Sequence, residues 1–230
     1  MLVRAVTRNS SRPISRVRYA STSSYSRPQP SAAYFDPSKA TDPSVAQTPG
    51  NLSEAQREEL QSALRVDQAG EVAANYIYKG QLAVFQRDPK YSPLIQEMWD
   101  QEKKHLNVMN KIQLQHRVRP TILWEVAQVA GYGLGVVTAL MGKEAAMACT
   151  EAVETVIGEH YQDQLKALED FPHHPSLPLL REVIKEFRDD ELEHLDTAVV
   201  HNSQRAPAHA LLSTVIGGGC KIAIKLCKRF

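Results

Sequence analysis

The sequence predicts an all-α protein: a four-helix bundle with two additional apolar helices, one crossing between its halves and one at the C-terminus. Three observations carry this. No alternating, β-branched stretch of useful strand length occurs. Apolar residues return at steps of three and four along four long segments. Prolines and turn residues cut the chain between those segments. With 230 residues, 43% of them hydrophobic, the chain holds enough material for one domain with a sizeable core and a tail.

The elements follow in order. Residues 1–30 contain Arg4, Arg8, Arg12, Arg16, Arg18 and Arg27, seven serines and no acidic residue; the first acid is Asp36. That composition is that of a mitochondrial transit peptide, assigned to residues 1–35, and the absence of an apolar core argues against a secretory signal. The Pro-, Ser- and Thr-rich stretch behind it, residues 36–51, reads as a linker to a domain over 52–230. Ser53 and Gln56 have the spacing of a capping box for a first helix, which Asp88-Pro89 ends. Ser92-Pro93 offers a cap and a first-turn proline for a second helix, and Arg119-Pro120 breaks the chain again. A third helix is expected over 121–141 and a fourth over 143–169. FPHHPSLP (171–178) reads as a loop, a fifth helix covers 178–203, and Pro207 opens a sixth.

Charge and cysteine content exclude some functions. The net charge of +1 gives no case for nucleic-acid binding, and beyond residue 30 the chain carries 21 basic against 26 acidic groups. Cys149, Cys220 and Cys227 are odd in number and form no C-x-x-C pair, so buried free thiols are expected rather than a disulfide framework. No G-x-G-x-x-G fingerprint follows a strand, so a redox reaction here would draw electrons from a diffusing donor.

The four long helices share an anomaly. Stepping by three and four gives a seam through Leu64, Asp67, Glu71, Ala74 and Tyr78 in the first, and through Ile95, Met98, Glu102, His105 and Met109 in the second. The fourth has Met147, Glu151, Glu154, Gly158 and Tyr161; the fifth has Ile184, Phe187, Glu191, His194 and Ala198. Each apolar seam is interrupted near its middle by a carboxylate. Buried glutamates are rare unless paired or coordinated. Four of them facing one another would take up protons unless cations sat between them, and two divalent ions offset four carboxylates.

Glu102-Lys-Lys-His105 and Glu191-Leu-Glu-His194 are both E-x-x-H, which places the two side chains on one helix face. One Glu from each of two helices plus an E-x-x-H from each of the other two is the ligand set of ferritin-like di-iron and di-manganese bundles. Glu71 precedes Glu102 by 31 residues and Glu154 precedes Glu191 by 37, an internal repeat whose extra residues are expected in the FPHHP loop. Glu151 competes with Glu154 for the ligand position. Asp67 is read either as orienting a ligand or as pairing with Arg65 or a lysine. His173 and His174 are read as loop residues, and His116, His160, His201 and His209 have no convergent partners.

Two apolar segments remain. Residues 122–141 form a marginal membrane span, interrupted by Glu125, Gln128 and three glycines. The C-terminal LLSTVIGGGCKIAIKLCKRF sets Lys221, Lys225, Lys228 and Arg229 beside apolar residues, as in a helix lying in a membrane interface. Peripheral attachment is expected, with an apolar substrate arriving from the bilayer.

RVDQAGE (65–71), WDQEKKH (99–105), RVRP (117–120), KEAAMACTEAVE (143–154) and FRDDELEHLD (187–196) closely resemble the di-iron 5-demethoxyubiquinone hydroxylase family of ubiquinone biosynthesis. The likeness runs from about residue 52 to the C-terminus. It implies a ferritin-like fold, a peripheral matrix-side position on the mitochondrial inner membrane, and hydroxylation of a polyprenyl quinone ring with O2. By motif position it implies two iron ions held by Glu71, Glu102, His105, Glu154, Glu191 and His194, with Glu102 and Glu191 bridging. It also implies association with the ubiquinone-biosynthesis complex and its lipid-binding partner protein; a homo-oligomer is a further expectation. Reduced nicotinamide (NADH) or a quinol mediator would supply electrons. Tyr161 is a candidate for positioning substrate or passing electrons. Competing readings are a quinol oxidase, an iron store, and a non-catalytic lipid-binding scaffold of the same complex.

Overall fold

The computed structural model describes residues 29–230, so nearly all of the leader assigned to 1–35 lies outside the described residues. The described chain is helical, with no strand. Short 3-10 turns at Pro30–Phe35 and Pro37–Lys39 and a single turn α1 (Pro43–Ala46) precede the long helices. These are α2 (Glu54–Phe85), α3 (Tyr91–His116), α4 (Trp124–Leu140), α5 (Lys143–Ala167), α6 (Ser176–Val200) and α7 (His209–Cys227).

Helix ends follow local chemistry. The capping box at α2 forms: Gln56 N–H donates to Ser53 Oγ, and Ser53 N–H donates to Gln56 Oε1. The start of α3 differs from the expected Ser92 cap. Asp88 Oδ1 accepts from the N–H groups of both Lys90 and Tyr91 at 2.9 Å, so the helix begins at Tyr91 with Pro93 in its first turn. The start of α4 comes later than residue 121. Thr121 Oγ1 takes the Leu123 N–H, and the Ile122 N–H goes to the Phe230 carbonyl at 2.9 Å, which ties this stretch to the C-terminus instead. At α6, His174 Nδ1 accepts the Ser176 N–H, so the helix starts two residues before the expected Pro178. The extra spacing of the second half is thus shared between a longer connection and a longer first turn of α6, not held by the loop alone. The last helix begins at His209, after Ala208 in the left-handed region at φ +53, rather than at Pro207.

The α2–α3 and α5–α6 hairpins form the bundle; helices within each hairpin pack closely, and the hairpins meet through longer side chains. Two apolar clusters fill its ends. Leu64, Met109, Ile112, Leu180 and Ile184 close one; Phe85, Tyr91, Ile95, Met98 and Met147 close the other. The carboxylate layer lies between them. The crossover α4 lies on α2 at backbone distance. A Cβ built on Gly131 would meet Ala73 O at 2.6 Å, and one on Gly135 would meet Ile77 O at 2.1 Å. Only glycine permits this approach. α7 packs on α5 beside α4, with Leu134, Leu212 and Ile216 sharing one cluster. All three cysteines are free thiols; Cys149 and Cys227 are buried and Cys220 partly so.

Candidate metal centre

The seam residues face inward as their spacing requires. Glu71 (α2), Glu102 and His105 (α3), Glu154 (α5), and Glu191 and His194 (α6) are each at most 2% exposed. Their ligand atoms fall into two overlapping groups. Glu71, Glu102, His105 and Glu191 converge on one position; Glu102, Glu154, Glu191 and His194 converge on a second. Glu102 and Glu191 belong to both, the arrangement required of bridging carboxylates. The α5 carboxylate in the cluster is Glu154; Glu151 instead meets His209 Nε2 at 3.0 Å.

The donor set fits metal ions on a second count. Glu71 Oε2, Glu102 Oε1, His105 Nδ1, Glu154 Oε2, Glu191 Oε2 and His194 Nδ1 are all buried without a well-formed hydrogen bond, and their short approaches, such as His194 Nδ1 to Glu102 Oε1 at 3.1 Å and His105 Nδ1 to Glu191 Oε1 at 3.2 Å, are to other members of the cluster. Isolated orphans of this kind cost about 1–3 kcal/mol each. Six orphans, one on each convergent residue, are inward-facing atoms left free for ions. Nitrogen and carboxylate oxygen donors together suit iron or manganese.

Without cations the cluster is electrostatically frustrated. Burial pushes the Glu71, Glu102 and Glu154 carboxyls above their ordinary range, and the Glu191 charge adds to each of these shifts. Burial acts the same way on Glu191, but His105 and His194 outweigh it and draw that carboxyl down to about 2. Burial disfavours charge on both histidines, yet the carboxylates around them raise both well above the imidazole range. The layer therefore stores protons that ions would displace.

Supporting contacts repeat between the halves. Tyr161 on α5 donates its hydroxyl to Glu71 Oε1 at 2.5 Å, and Tyr78 on α2 donates to Glu154 Oε1 at 2.9 Å. Each tyrosine lies seven residues beyond the glutamate of its own helix, a repeated E-x6-Y that the sequence displays and that a seam reading passes over as core. Asn75 adds a contact without a counterpart. Its Nδ2 donates to the carbonyls of Glu71 and Glu102 at 2.9 Å, and Trp99 Nε1 holds its Oδ1. Asp67 pairs with neither Arg65 nor a lysine. It accepts from His160 Nε2 and Gln164 Nε2, both at 2.9 Å, which also supplies His160 with a partner that helix periodicity does not reveal. His116 and His201 bond Thr48 and Thr197, outside the cluster.

The chain matches the family described as ubiquinone biosynthesis protein COQ7 over residues 58–227. It is 49% identical over 180 residues to a Mus musculus protein named NADPH-dependent 3-demethoxyubiquinone 3-hydroxylase, mitochondrial, covering 78% of this chain and 82% of that one. It is 45% identical over 190 residues to the Saccharomyces cerevisiae 5-demethoxyubiquinone hydroxylase, mitochondrial, covering 78% and 82%. A Rhodospirillum rubrum 3-demethoxyubiquinol 3-hydroxylase is 45% identical over 166 residues, covering 72% and 76%.

Proposed function

The chain belongs to the COQ7 family of ubiquinone biosynthesis proteins, and from this we propose a di-iron centre as the seat of its demethoxyubiquinone hydroxylase activity. The observation that carries the metal assignment is the set of six buried donor atoms, without well-formed hydrogen bonds and facing one another, that converge from four helices on two overlapping positions. Glu71 and His105 would hold one ion, Glu154 and His194 the other, with Glu102 and Glu191 between them. Held there, the ions would supply the reductive activation of O2 that ring hydroxylation requires.

The chain's own residues do the rest. The apolar clusters on either side of the carboxylate layer exclude bulk water from it. Tyr78 and Tyr161 fix the carboxylates of Glu154 and Glu71. Tyr161 is fully buried against a ligand, which suits passage of electrons or protons into the cluster better than contact with a diffusing quinone. The electron donor in this reading is a reduced nicotinamide, one of the two donors the sequence leaves open; the relative from mouse is named for NADPH.

The quinone would arrive through a membrane face, on the matrix side of the mitochondrial inner membrane. Val126, Val129, Val137 and Leu140 form an exposed stripe on α4, opposite Gly131 and Gly135 that grip α2, and exposed Ile122 lies just before the helix. Leu211, Val215, Ile222 and Leu226 form another on the adjoining α7. Among the described residues α7 alone is long and apolar enough to cross a bilayer. Its basic residues and its packing against α5 favour lying in the interface. The same reading includes association with the lipid-binding partner protein and other members of the biosynthetic complex.

The test is anaerobic loading with Fe(II), then addition of O2, demethoxyubiquinone and NADPH or NADH. Formation of the hydroxylated quinone is expected. Its absence with every reductant tried, in protein shown to hold two irons, would overturn the assignment.

A further inference from the structure

The ligands obey the internal repeat, but the groups behind the two histidines do not. Both imidazoles turn Nδ1 toward the cluster and Nε2 away from it. Behind His105, Nε2 meets Asp190 Oδ2 at 3.0 Å. Behind His194, Nε2 meets Gln101 Oε1 in a short hydrogen bond. Asp190 directly precedes Glu191 and Gln101 directly precedes Glu102, so these are equivalent positions of the repeated E-x-x-H, read across the bundle. At one of them the acceptor is an acidic side chain, at the other a neutral amide.

We infer that Asp190 and Gln101 are positioning residues that make the two metal positions unequal, the ion at Glu71 and His105 being held more tightly than the ion at Glu154 and His194. The inference rests on the di-metal reading above. Either acceptor fixes the same tautomer, with the proton on Nε2 and the lone pair of Nδ1 free for a metal. What differs is charge. A carboxylate accepting the Nε2 proton raises the donor strength of Nδ1 and adds a negative charge near the ion; an amide oxygen offers only a dipole. The remaining contacts do not cancel this difference. Tyr161 and Tyr78 treat Glu71 and Glu154 alike. Phe187 stacks on His105 with ring centroids 4.0 Å apart, and Tyr78 meets His194 edge-on at 5.9 Å; neither brings a charge. Asp67, one turn before Glu71, has a counterpart in Glu151, one turn before Glu154, and each acid is paired with a histidine, His160 and His209, so this layer does not favour either side. The Asp190 side chain is 25% exposed, so solvent moderates its effect. Substitution of groups behind metal-bound histidines changes metal affinity by about 10–100-fold, which sets the scale of the expected gap.

The experiment uses the full chain, stripped of metal by a chelator and titrated anaerobically with Fe(II) or Co(II) against a competing chelator. Two stoichiometric steps are expected, separated by about tenfold or more in affinity. With one equivalent of 57Fe(II), a single Mössbauer doublet is expected, and a second with two. His105→Ala should remove the tight step and His194→Ala the weak one. Asp190→Asn should lower the tight step toward the weak one. Gln101→Glu should raise the weak step toward the tight one, and it remains informative if Asp190→Asn fails to fold. Two wild-type steps of equal affinity would overturn the inference, as would a Gln101→Glu protein whose two steps keep their wild-type separation. Failure of the underlying reading looks different: wild-type protein would bind fewer than two ions.

Discussion

Tyr161 and Glu71 stand 90 residues apart in the chain and meet in the buried carboxylate layer, the hydroxyl donating to Oε1 at 2.5 Å. This leaves Oε2 of the same carboxylate free to face the cluster. Tyr78 does the same for Glu154. Tyr161→Phe and Tyr78→Phe each strip a buried carboxyl oxygen of its donor while keeping the ring that packs the core. Each should lower the stability of the metal-free protein by about 1–3 kcal/mol, read from urea unfolding. If Tyr161 conducts electrons or protons, Tyr161→Phe should slow quinone hydroxylation more than Tyr78→Phe does at equal iron content. Equal turnover in the two variants would leave Tyr161 as a prop for Glu71 only.

The overlap of the two donor groups predicts different stoichiometries for different glutamates. Glu102 and Glu191 each serve both positions, whereas Glu71 and Glu154 serve one each. Glu102→Ala or Glu191→Ala should therefore reduce iron content from two to near zero. Glu71→Ala or Glu154→Ala should leave about one ion per chain, since three donors remain at one position and four at the other. Metal analysis of protein loaded in excess Fe(II) and desalted measures this. Four variants with indistinguishable content would contradict the bridging assignment.

The contact of α4 with α2 yields a paired prediction. Gly135 has no room for a methyl group, its Cβ falling 2.1 Å from the Ile77 carbonyl, whereas a Cβ on Gly133 meets nothing within 4 Å. Gly135→Ala must push the two helix backbones apart and should cost about 1–3 kcal/mol, the ordinary cost of overpacking. Gly133→Ala sits in the same helix two residues away and should be neutral or gain about 0.5–1 kcal/mol from helix propensity. Urea midpoints of the two variants against wild type settle the comparison. The larger loss should come with faster proteolysis within α4.

What the sequence makes legible follows from what is periodic. The inward-facing carboxylate seams, the four bundle helices and the two extra apolar helices are visible because helical spacing and the doubled E-x-x-H are local patterns, although spacing alone leaves Glu151 and Glu154 in competition. Contacts set by which helix lies beside which are not. Asp67 looks like a partner for Arg65, two residues away in the chain, until α5 brings His160 and Gln164 to it. Thr121 looks like the start of a helix until the Phe230 carbonyl takes the next N–H. Tyr78 looks like core because it is core, and only the position of Glu154 opposite it gives its hydroxyl a task. The E-x6-Y repeat was available as a signal, but its meaning depends on the two halves facing each other.

The exposed stripes of α4 and α7 predict lipid binding. Val129 is 76% exposed and Leu140 71%, and they belong to a contiguous apolar stripe rather than standing as scattered single residues. The protein should co-sediment with vesicles that contain anionic lipid, which Lys221, Lys225 and Lys228 would attract. A variant carrying Val129→Ser, Leu140→Ser and Ile222→Ser should sediment several-fold less while retaining its iron and helix content. Undiminished sedimentation would remove α4 and α7 as the attachment face.

The proton store in the ligand layer predicts opposite pH responses for the metal-free and loaded proteins. Glu71, Glu102 and Glu154 are raised by burial, and the carboxylates around His105 and His194 raise both imidazoles despite burial. For all five groups the metal-free folded state binds a proton more tightly than the unfolded chain does. Their contribution to stability is thus complete below the unfolded values, near 4.5 for Glu and 6.5 for His, and fades as pH rises through the elevated folded values. Glu191 works the other way. Drawn to about 2 by His105 and His194, it stabilises the fold above pH 4.5 and loses that contribution as pH falls toward 2. Bound ions require the five groups to release their protons, so metal affinity should rise with pH. The thermal midpoint of metal-free protein should consequently fall between pH 6 and pH 8 while that of loaded protein holds or rises, and the gap between them should widen. Differential scanning calorimetry of both forms across that range measures the gap. A gap independent of pH would mean that the layer enters metal binding already deprotonated, and the frustration derived from burial would be wrong.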